Sequence, residues 1–264
     1  MAHPFFEARF PLAIGHRGCA GEAPENTLAS FERGLAHGAD VLETDVHLTR
    51  DGVPVLIHDD GVERTTEGRG RVGQLDWSAL QALDAGYRYQ ARDGSHPFRG
   101  QGLRIPSLAD ALAALPGSRF NLELKEGLPG IVEQTLDAIA AAGRDALTLV
   151  TAAEDPLMAS LRKAVKQRGA GVALGASAGE VGRFASAAAR GETPPPGPMA
   201  LQIPPAFAGR ALVTPELVDA AHRSGVQVHV WTINEPDEIA ALLALGVDGV
   251  VSDFPARVVA ARQA

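Results

Sequence analysis

The chemistry-bearing residues of this chain are concentrated first in Glu43-Thr44-Asp45-Val46-His47-Leu48 and Val53-Pro54-Val55-Leu56-Ile57-His58, where two carboxylates and a histidine interrupt apolar runs. Residues two apart on a strand share a face, so Glu43 and Asp45 point the same way while Thr44 and Val46 point the other. Two adjacent carboxylates repel, and one is driven to keep its proton unless a metal ion, an arginine or a lysine stands between them. The connection Thr49-Arg50-Asp51-Gly52 is too short for the crossover that parallel strands need, which predicts a hairpin. Pairing Leu48 with Val53 would place His58 opposite Glu43, an acid or base beside a metal-ready pair, as assisted attack at phosphorus or carbonyl carbon requires. Taken alone, the alternation fits a hairpin with a solvated polar face equally well. The remainder of the chain decides between the two.

Similar groups close other apolar runs. Leu12 to Gly15 ends in His16-Arg17, and Phe120 to Leu124 carries Asn121, Glu123 and then Lys125. Glu43, Asp45 and Glu123 form an all-oxygen donor set, which favours Mg2+ or Ca2+ over zinc. Neither paired cysteines nor two histidines at helical spacing support a zinc site. Arg17 and Lys125 suit phosphate oxygens, the first as a two-pronged donor and the second as a point charge. His16 and His58 can act as acid and base, since imidazole as a group titrates near neutrality. Asn121 carries a weaker case, since a strand-end amide often only satisfies neighbouring backbone. Glu25 and Asn26 read as helix-start residues, and His37 and His47 as solvated.

These groups must be positioned by a regular alternation of strands and helices. Nine strand-like runs are visible: Leu12 to Gly15, Val41 to Val46, Val53 to His58, Phe120 to Leu124, Leu147 to Thr151, Val172 to Gly175, Ala200 to Ile203, Val226 to Thr232 and Gly249 to Ser252. With Val53 to His58 set aside as a hairpin arm, eight remain, the number that closes a parallel α/β barrel, the (β/α)8 TIM barrel. Leu28, Phe31 and Leu35 mark a helix that Gly38 stops, and Asp155-Pro156, Thr214-Pro215 and Glu235-Pro236 open others. The irregular stretch from about 59 to 105, with a single helix near Asp76, is an insertion at a strand end. A doubly wound sheet competes, but no glycine-rich dinucleotide loop follows the first strand. In a barrel the carboxyl ends of the strands carry the chemistry, and His16, Arg17, Glu43, Asp45, Glu123 and Lys125 all fall there.

At 264 residues the chain is read as a single domain, 1–264, a size such barrels reach. A formal charge of −8 argues against a nucleic-acid surface. One cysteine, Cys19, excludes an internal disulfide and suits a reducing compartment. The start, from Met1 to Glu7, has neither a basic flank nor an apolar core, and no run is long enough to span a bilayer. The expectation is a soluble, cytoplasmic protein with a small-molecule partner and without stable membrane insertion. Its oligomeric state is not encoded in these patterns.

With these residues in place, the chain resembles the glycerophosphodiester phosphodiesterases. The likeness rests on His16-Arg17-Gly18 with Pro24-Glu25-Asn26-Thr27, on Glu43-Thr44-Asp45 with Thr49-Arg50-Asp51-Gly52 and His58-Asp59-Asp60, and on Glu123-Leu124-Lys125. Val230-Trp231-Thr232-Ile233-Asn234 and the run from Gly246 to Asp253 extend it along nearly the whole chain. The resemblance implies a (β/α) barrel with a family-type insertion after His58, and hydrolysis of a glycerophosphodiester to sn-glycerol 3-phosphate and an alcohol. It implies His16 and His58 as general acid and base, and Glu43, Asp45 and Glu123 as ligands of one divalent cation. Arg17 and Lys125 would contact the phosphate, and Trp231 would wall the glycerol or pack at the end of its strand. In the family the substrate's neighbouring hydroxyl is thought to attack phosphorus, giving a cyclic phosphate that water opens. Two other functions fit parts of the pattern: a phospholipase D-like hydrolase of lysophospholipids, which would need an apolar groove or docking face, and a non-catalytic module that binds a phosphorylated ligand. The first finds no basic amphipathic helix, and the second leaves the His16 and His58 pair unexplained. The segment from Gly86 to Gly102, with Tyr87, Tyr89, His96 and Phe98, conforms least and bears on the leaving group.

Overall fold

Buried on both faces, apolar runs of four to eight residues favour parallel pairing under a layer of helices. The computed structural model, which describes residues 3–8, 10–125 and 129–263, assembles them in that way. Met1 and Ala2, the first residues weighed above for a signal peptide, lie outside the described residues. Strand β1 (Leu12–Gly15) leads through α1 (Leu28–Ala36) to β2 (Val41–Leu48) and its hairpin arm β3 (Pro54–Leu56). After the insertion, which holds α2 (Trp77–Gln81), come α3 (Leu108–Ala114), β4 (Arg119–Leu124), α4 (Ile131–Ala141), β5 (Thr148–Ala152), α5 (Asp155–Arg168), β6 (Ala173–Leu174), α6 (Ala178–Ala189) and β7 (Ala200–Ile203). A small hairpin of β8 (Ala206–Phe207) and β9 (Arg210–Ala211) precedes α7 (Pro215–Arg223), β10 (Gln227–Val230), α8 (Pro236–Ala244), β11 (Gly249–Ser252) and α9 (Pro255–Ala261).

The sheet runs β6-β5-β4-β2-β1-β11-β10-β7 in parallel pairs. Its two ends meet where the Met199 N–H donates to the Leu174 carbonyl at 2.9 Å. Eight staves in a nearly closed ring make the expected (β/α)8 barrel. Thr27, Ser107, Ser177 and Thr214 cap their helices, the middle two as reciprocal capping boxes with Asp110 and Glu180. Asp155 opens α5 as its first residue and does not cap it, since Glu154 takes the N-cap position. The Asp155 carboxylate is taken by Ser177 Oγ and the Gly179 N–H at the start of α6.

Parity divides the barrel interior into layers. Leu12, Ile14, Val41, Leu149, Ala173, Ala200 and Val251 fill one end, sealed by Phe5 and Phe6 from a short 3-10 turn. One alternation further along lie Glu43, Asn121, Gln202 and His229, paired across neighbouring strands. Beyond them, at the carboxyl ends, come Asp45, Glu123, Trp231 and Asp253. An apolar floor thus supports a polar mouth.

The hairpin departs from the expected register by one residue. Leu48 pairs with Pro54, not Val53, and β3 ends at Leu56. Thr49 closes the turn: its N–H donates to Val53 O at 3.0 Å, and its hydroxyl oxygen accepts from Val53 N at 2.9 Å. Gly52, at φ 84°, supplies the left-handed residue of a three-residue loop. The backbone pairing ends where Ile57 N donates to Asp45 O at 3.1 Å, so His58 stands in the loop beyond the strand and not opposite Glu43. The runs at Val172–Gly175 and Val226–Thr232 also shorten, to 2 and 4 residues, each losing its first residue as well as its carboxyl end.

The insertion has a small core of its own, with Val62, Val72 and Leu80 fully buried. It rests against the carboxyl end of the barrel, where Arg92 from the insertion and Arg257 from α9 lie over the Phe254 ring at 5.4 and 4.1 Å. Among the described residues no helix is long and apolar enough to cross a membrane.

Candidate active site

The first side chains of the site are held by a strained turn. Arg17 has φ 47° and Gly18 φ 91°, a left-handed pair that costs on the order of 1 kcal/mol at the non-glycine residue. A side chain at Gly18 would meet the Ser30 carbonyl oxygen at 2.7 Å, so α1 approaches too closely for anything larger. Ser30 and Asn26 pay back the strain through the Arg17 carbonyl, which accepts from Ser30 Oγ at 2.8 Å and from Asn26 N at 3.1 Å. His16 and Arg17 are thereby aimed at the mouth.

Below them the carboxylates behave as repulsion demands. Oxygens of Glu43, Asp45 and Glu123 lie within 4.8 Å of one another. Burial and the neighbouring Asp45 push Glu43 up to about 7. Asp45 moves the other way: burial opposes its charge, but Lys125 and Arg17 outweigh that and lower its pKa. Lys125 Nζ bridges Asp45 Oδ1 at 2.8 Å and Glu123 Oε2 at 2.9 Å. The Arg17 N–H donates to Glu43 Oε2 at 2.9 Å, its Nη1 donates to Glu25 Oε1 at 2.8 Å, and its Nε lies 3.3 Å from Asp45 Oδ2. Three convergent carboxylates, one of them reluctant to ionise without a further cation, fit a hard divalent ion. A second group, Cys19, Glu22 and His37, also brings its ligand atoms together. There, burial pushes the thiol up to about 12, and Glu22 already faces Arg33 at 3.5 Å.

Each histidine has an aspartate behind it. His16 Nδ1–H donates to Asp253 Oδ1 and His58 Nδ1–H to Asp59 Oδ1, both at 2.7 Å, which turns the two Nε2 atoms away from their carboxylates. Burial disfavours the His16 cation, but the Asp253 bond and the charge of Glu43 prevail and raise its pKa. Asp253 is itself held: Asn234 Nδ2 donates to its Oδ2 at 2.6 Å, and its N–H donates to Asn234 Oδ1 at 2.9 Å.

Several positions differ from the sequence reading. His47 is 5 % exposed, not solvated, because parity points it inward with Asp45; its Nε2–H donates to the His58 carbonyl at 3.0 Å and fixes that loop. His37 is half-buried, with its Nδ1 out of contact with solvent. Thr27 caps α1, which frees the two residues before it for the site. Asn26 Nδ2 donates to Asp45 Oδ2 at 3.0 Å and Glu25 pairs with Arg17, so both belong to the mouth. Asn121 is buried and its Oδ1 accepts from Gln202 Nε2 at 2.7 Å. Trp231 stands 43 % exposed directly after β10. Cys19 is fully buried and lines nothing open.

The sequence profile of the glycerophosphoryl diester phosphodiesterase family matches residues 16–257. This chain belongs to that family. A glycerophosphodiester phosphodiesterase of Caldanaerobacter subterraneus subsp. tengcongensis is 30 % identical over 249 residues, covering 92 % of this chain and 94 % of the relative. One from Bacillus altitudinis is 30 % identical over 261 residues, covering 95 % and 97 %. An Oleispira antarctica phosphodiesterase, solved with the product sn-glycerol-3-phosphate, superposes with a TM-score of 0.73 at 28 % identity and covers 97 % of this chain and 98 % of that one. A glycerophosphoryl diester phosphodiesterase domain from Mycobacterium tuberculosis shares the fold, with a TM-score of 0.82 over 97 % of this chain and 99 % of its own. For a glycerophosphoryl diester phosphodiesterase, the groups that sequence reasoning passed over are the ones behind the histidines. Asp59 is adjacent to His58 and could have been read as its partner; Asp253 is 237 residues from His16 and meets it only through the pairing of β1 with β11.

Proposed function

We propose that this phosphodiesterase hydrolyses glycerophosphodiesters to sn-glycerol 3-phosphate and an alcohol in a divalent-metal-dependent reaction, with His16 and His58 as the acid-base pair. The observation that carries this reading is the pair of aspartate-backed histidines beside a three-carboxylate cluster in which Glu43 resists ionisation. Glu43, Asp45 and Glu123 would hold Mg2+ or Ca2+, and the ion supplies charge stabilisation at phosphorus when bound. Arg17 and Lys125 offer donors to the phosphate oxygens once substrate competes for them with the carboxylates they now neutralise. His16, whose surroundings favour its protonated form, gives a proton to the departing alcohol oxygen. His58 accepts the proton of the substrate's neighbouring hydroxyl as that oxygen bonds to phosphorus and the bond to the alcohol breaks. Opening of the cyclic phosphate by water reverses the two roles. Trp231 forms a wall at the mouth.

Release of glycerol 3-phosphate from a panel of glycerophosphodiesters tests this, with chelator and with Mg2+, Ca2+, Mn2+ or Zn2+ added back. Turnover of small diesters that is lost to chelator and restored by Mg2+ or Ca2+ is expected; silence across the panel by folded, metal-loaded protein would overturn the reading. Lysophospholipids belong in the panel for a structural reason. Phe207, 72 % exposed on the β8–β9 hairpin, follows β7, the neighbour of the strand that Trp231 directly follows. Turnover confined to lysophospholipids would favour an acyl-chain contact there.

A further inference from the structure

One guanidinium from the insertion spans both sides of the mouth. Arg64 Nε donates to Asp59 Oδ2 at 2.6 Å, and its Nη2 lies 3.2 Å from Asp59 Oδ1. On its other edge, Nη1 donates to Glu25 Oε2 and Nη2 to Glu25 Oε1, both at 2.7 Å. Asp59 in turn accepts from His58 Nδ1–H, and Glu25 accepts from Arg17 Nη1. The chain His58, Asp59, Arg64, Glu25, Arg17 therefore connects the histidine to the phosphate-facing arginine without a gap.

We infer that Arg64 is a positioning residue which, through Asp59, fixes the ring orientation and tautomer of His58 and, through Glu25, fixes the reach of Arg17. The inference rests on the acid-base reading of His58 and deepens it. A planar fork can meet both oxygens of Asp59 on one edge and both oxygens of Glu25 on the other; a lysine at this position is a point charge and cannot make the two double contacts together. Without Arg64, Asp59 is free to turn away from the imidazole, and Glu25 is left with Arg17 as its sole cation among these groups and draws it off the phosphate position. The backbone that presents Arg64 is tied to the insertion's core: Val62 is fully buried, its N–H donates to Gly70 O at 3.1 Å, and Thr66 N–H donates to Val62 O at 3.1 Å. The Arg64 bonds hold Asp59 down to about 2, so it remains an acceptor throughout the working range. The insertion thus contributes part of the catalytic geometry as well as covering the barrel.

The side chain of Arg64 is 46 % exposed, so water can fill its place and the fold should survive its removal. Steady-state kinetics on full-length Arg64→Ala, Arg64→Lys, Asp59→Asn and the Arg64→Ala/Asp59→Asn double variant read the coupling. Arg64→Ala is expected to lower kcat roughly 10- to 100-fold, the usual cost of losing a partner behind an active group, and to raise KM through Arg17. In kcat the double variant should fall within about 3-fold of Asp59→Asn alone, because Arg64 reaches His58 through its bonds to Asp59, while the rise in KM through Glu25 and Arg17 persists. Lysine should restore only part of the loss. Arg64→Ala with kcat within about 2-fold of wild type, or independent multiplicative losses of kcat in the double variant, overturns the inference. Histidine ring 15N spectra read it without substrate: wild-type His58 is expected to carry its proton on Nδ1, Arg64→Ala to show a tautomer mixture, and His16 to be unchanged. An unaltered His58 tautomer also overturns it. Loss of wild-type turnover on the whole diester panel would be a failure of the proposed function, and the ring spectra would still decide the role of Arg64.

Discussion

At the residue scale, an aspartate behind each histidine turns two ordinary imidazoles into oriented ones. Removing either ring, by His16→Ala or His58→Ala, is expected to cost at least ~100-fold in kcat, the lower range for a lost general acid or base; turnover within a few-fold of wild type would contradict the assignment. Asp253→Asn makes a finer distinction. The carboxylate favours the protonated form of His16, so its loss lowers the pH above which the acid has discharged. The alkaline limb of the pH–kcat profile should therefore move to lower pH, with kcat at its plateau reduced by roughly 10-fold or more. A uniform loss with an unmoved limb would assign Asp253 a purely structural role.

At the element scale, the site depends on how tightly the turn after β1 folds against α1. Gly18→Ala places a methyl within 2.7 Å of the Ser30 carbonyl oxygen at a φ that alanine avoids. It should destabilise the protein by about 2 kcal/mol or more by urea denaturation, and an unchanged midpoint would show that α1 can shift. Elements of this kind also mark the limit of what the sequence discloses. Strand parity alone brings Glu43, Asp45 and Glu123 to one face, and strand ends alone bring His16, Arg17 and Lys125 to one mouth. The hairpin register was not legible, because it turns on whether Thr49 closes a loop of three residues or leaves one of four. Glu25 and Asn26 suit a helix start by residue type; Thr27 takes the cap, and only the approach of β2 shows Asn26 on Asp45. His47 obeys the same parity as Asp45, yet its burial depends on the loop that folds back over it.

At the scale of the whole molecule, a polar mouth is supported by a dry floor, and His229 lies where the two meet. Its ring is 1 % exposed, 6.4 Å from the Phe6 ring that helps seal the barrel, with Nε2 at 2.9 Å from Gln227 Oε1. Burial lowers its pKa to about 4, from the ordinary 6.5. Between those two values the unfolded chain binds a proton that the folded barrel refuses, so stability rises with pH through the window. The contribution is fully present above about 6.5 and is lost as pH falls toward about 4, a total of about 3 kcal/mol. His229→Gln keeps a polar group of similar reach but cannot titrate. Urea melts at pH 7.5 and pH 5 should show the wild type losing about 2 kcal/mol more than the variant between the two. Equal losses would mean that the imidazole takes up a proton inside the barrel, and the floor would then have to admit water past Phe5 and Phe6 to solvate it.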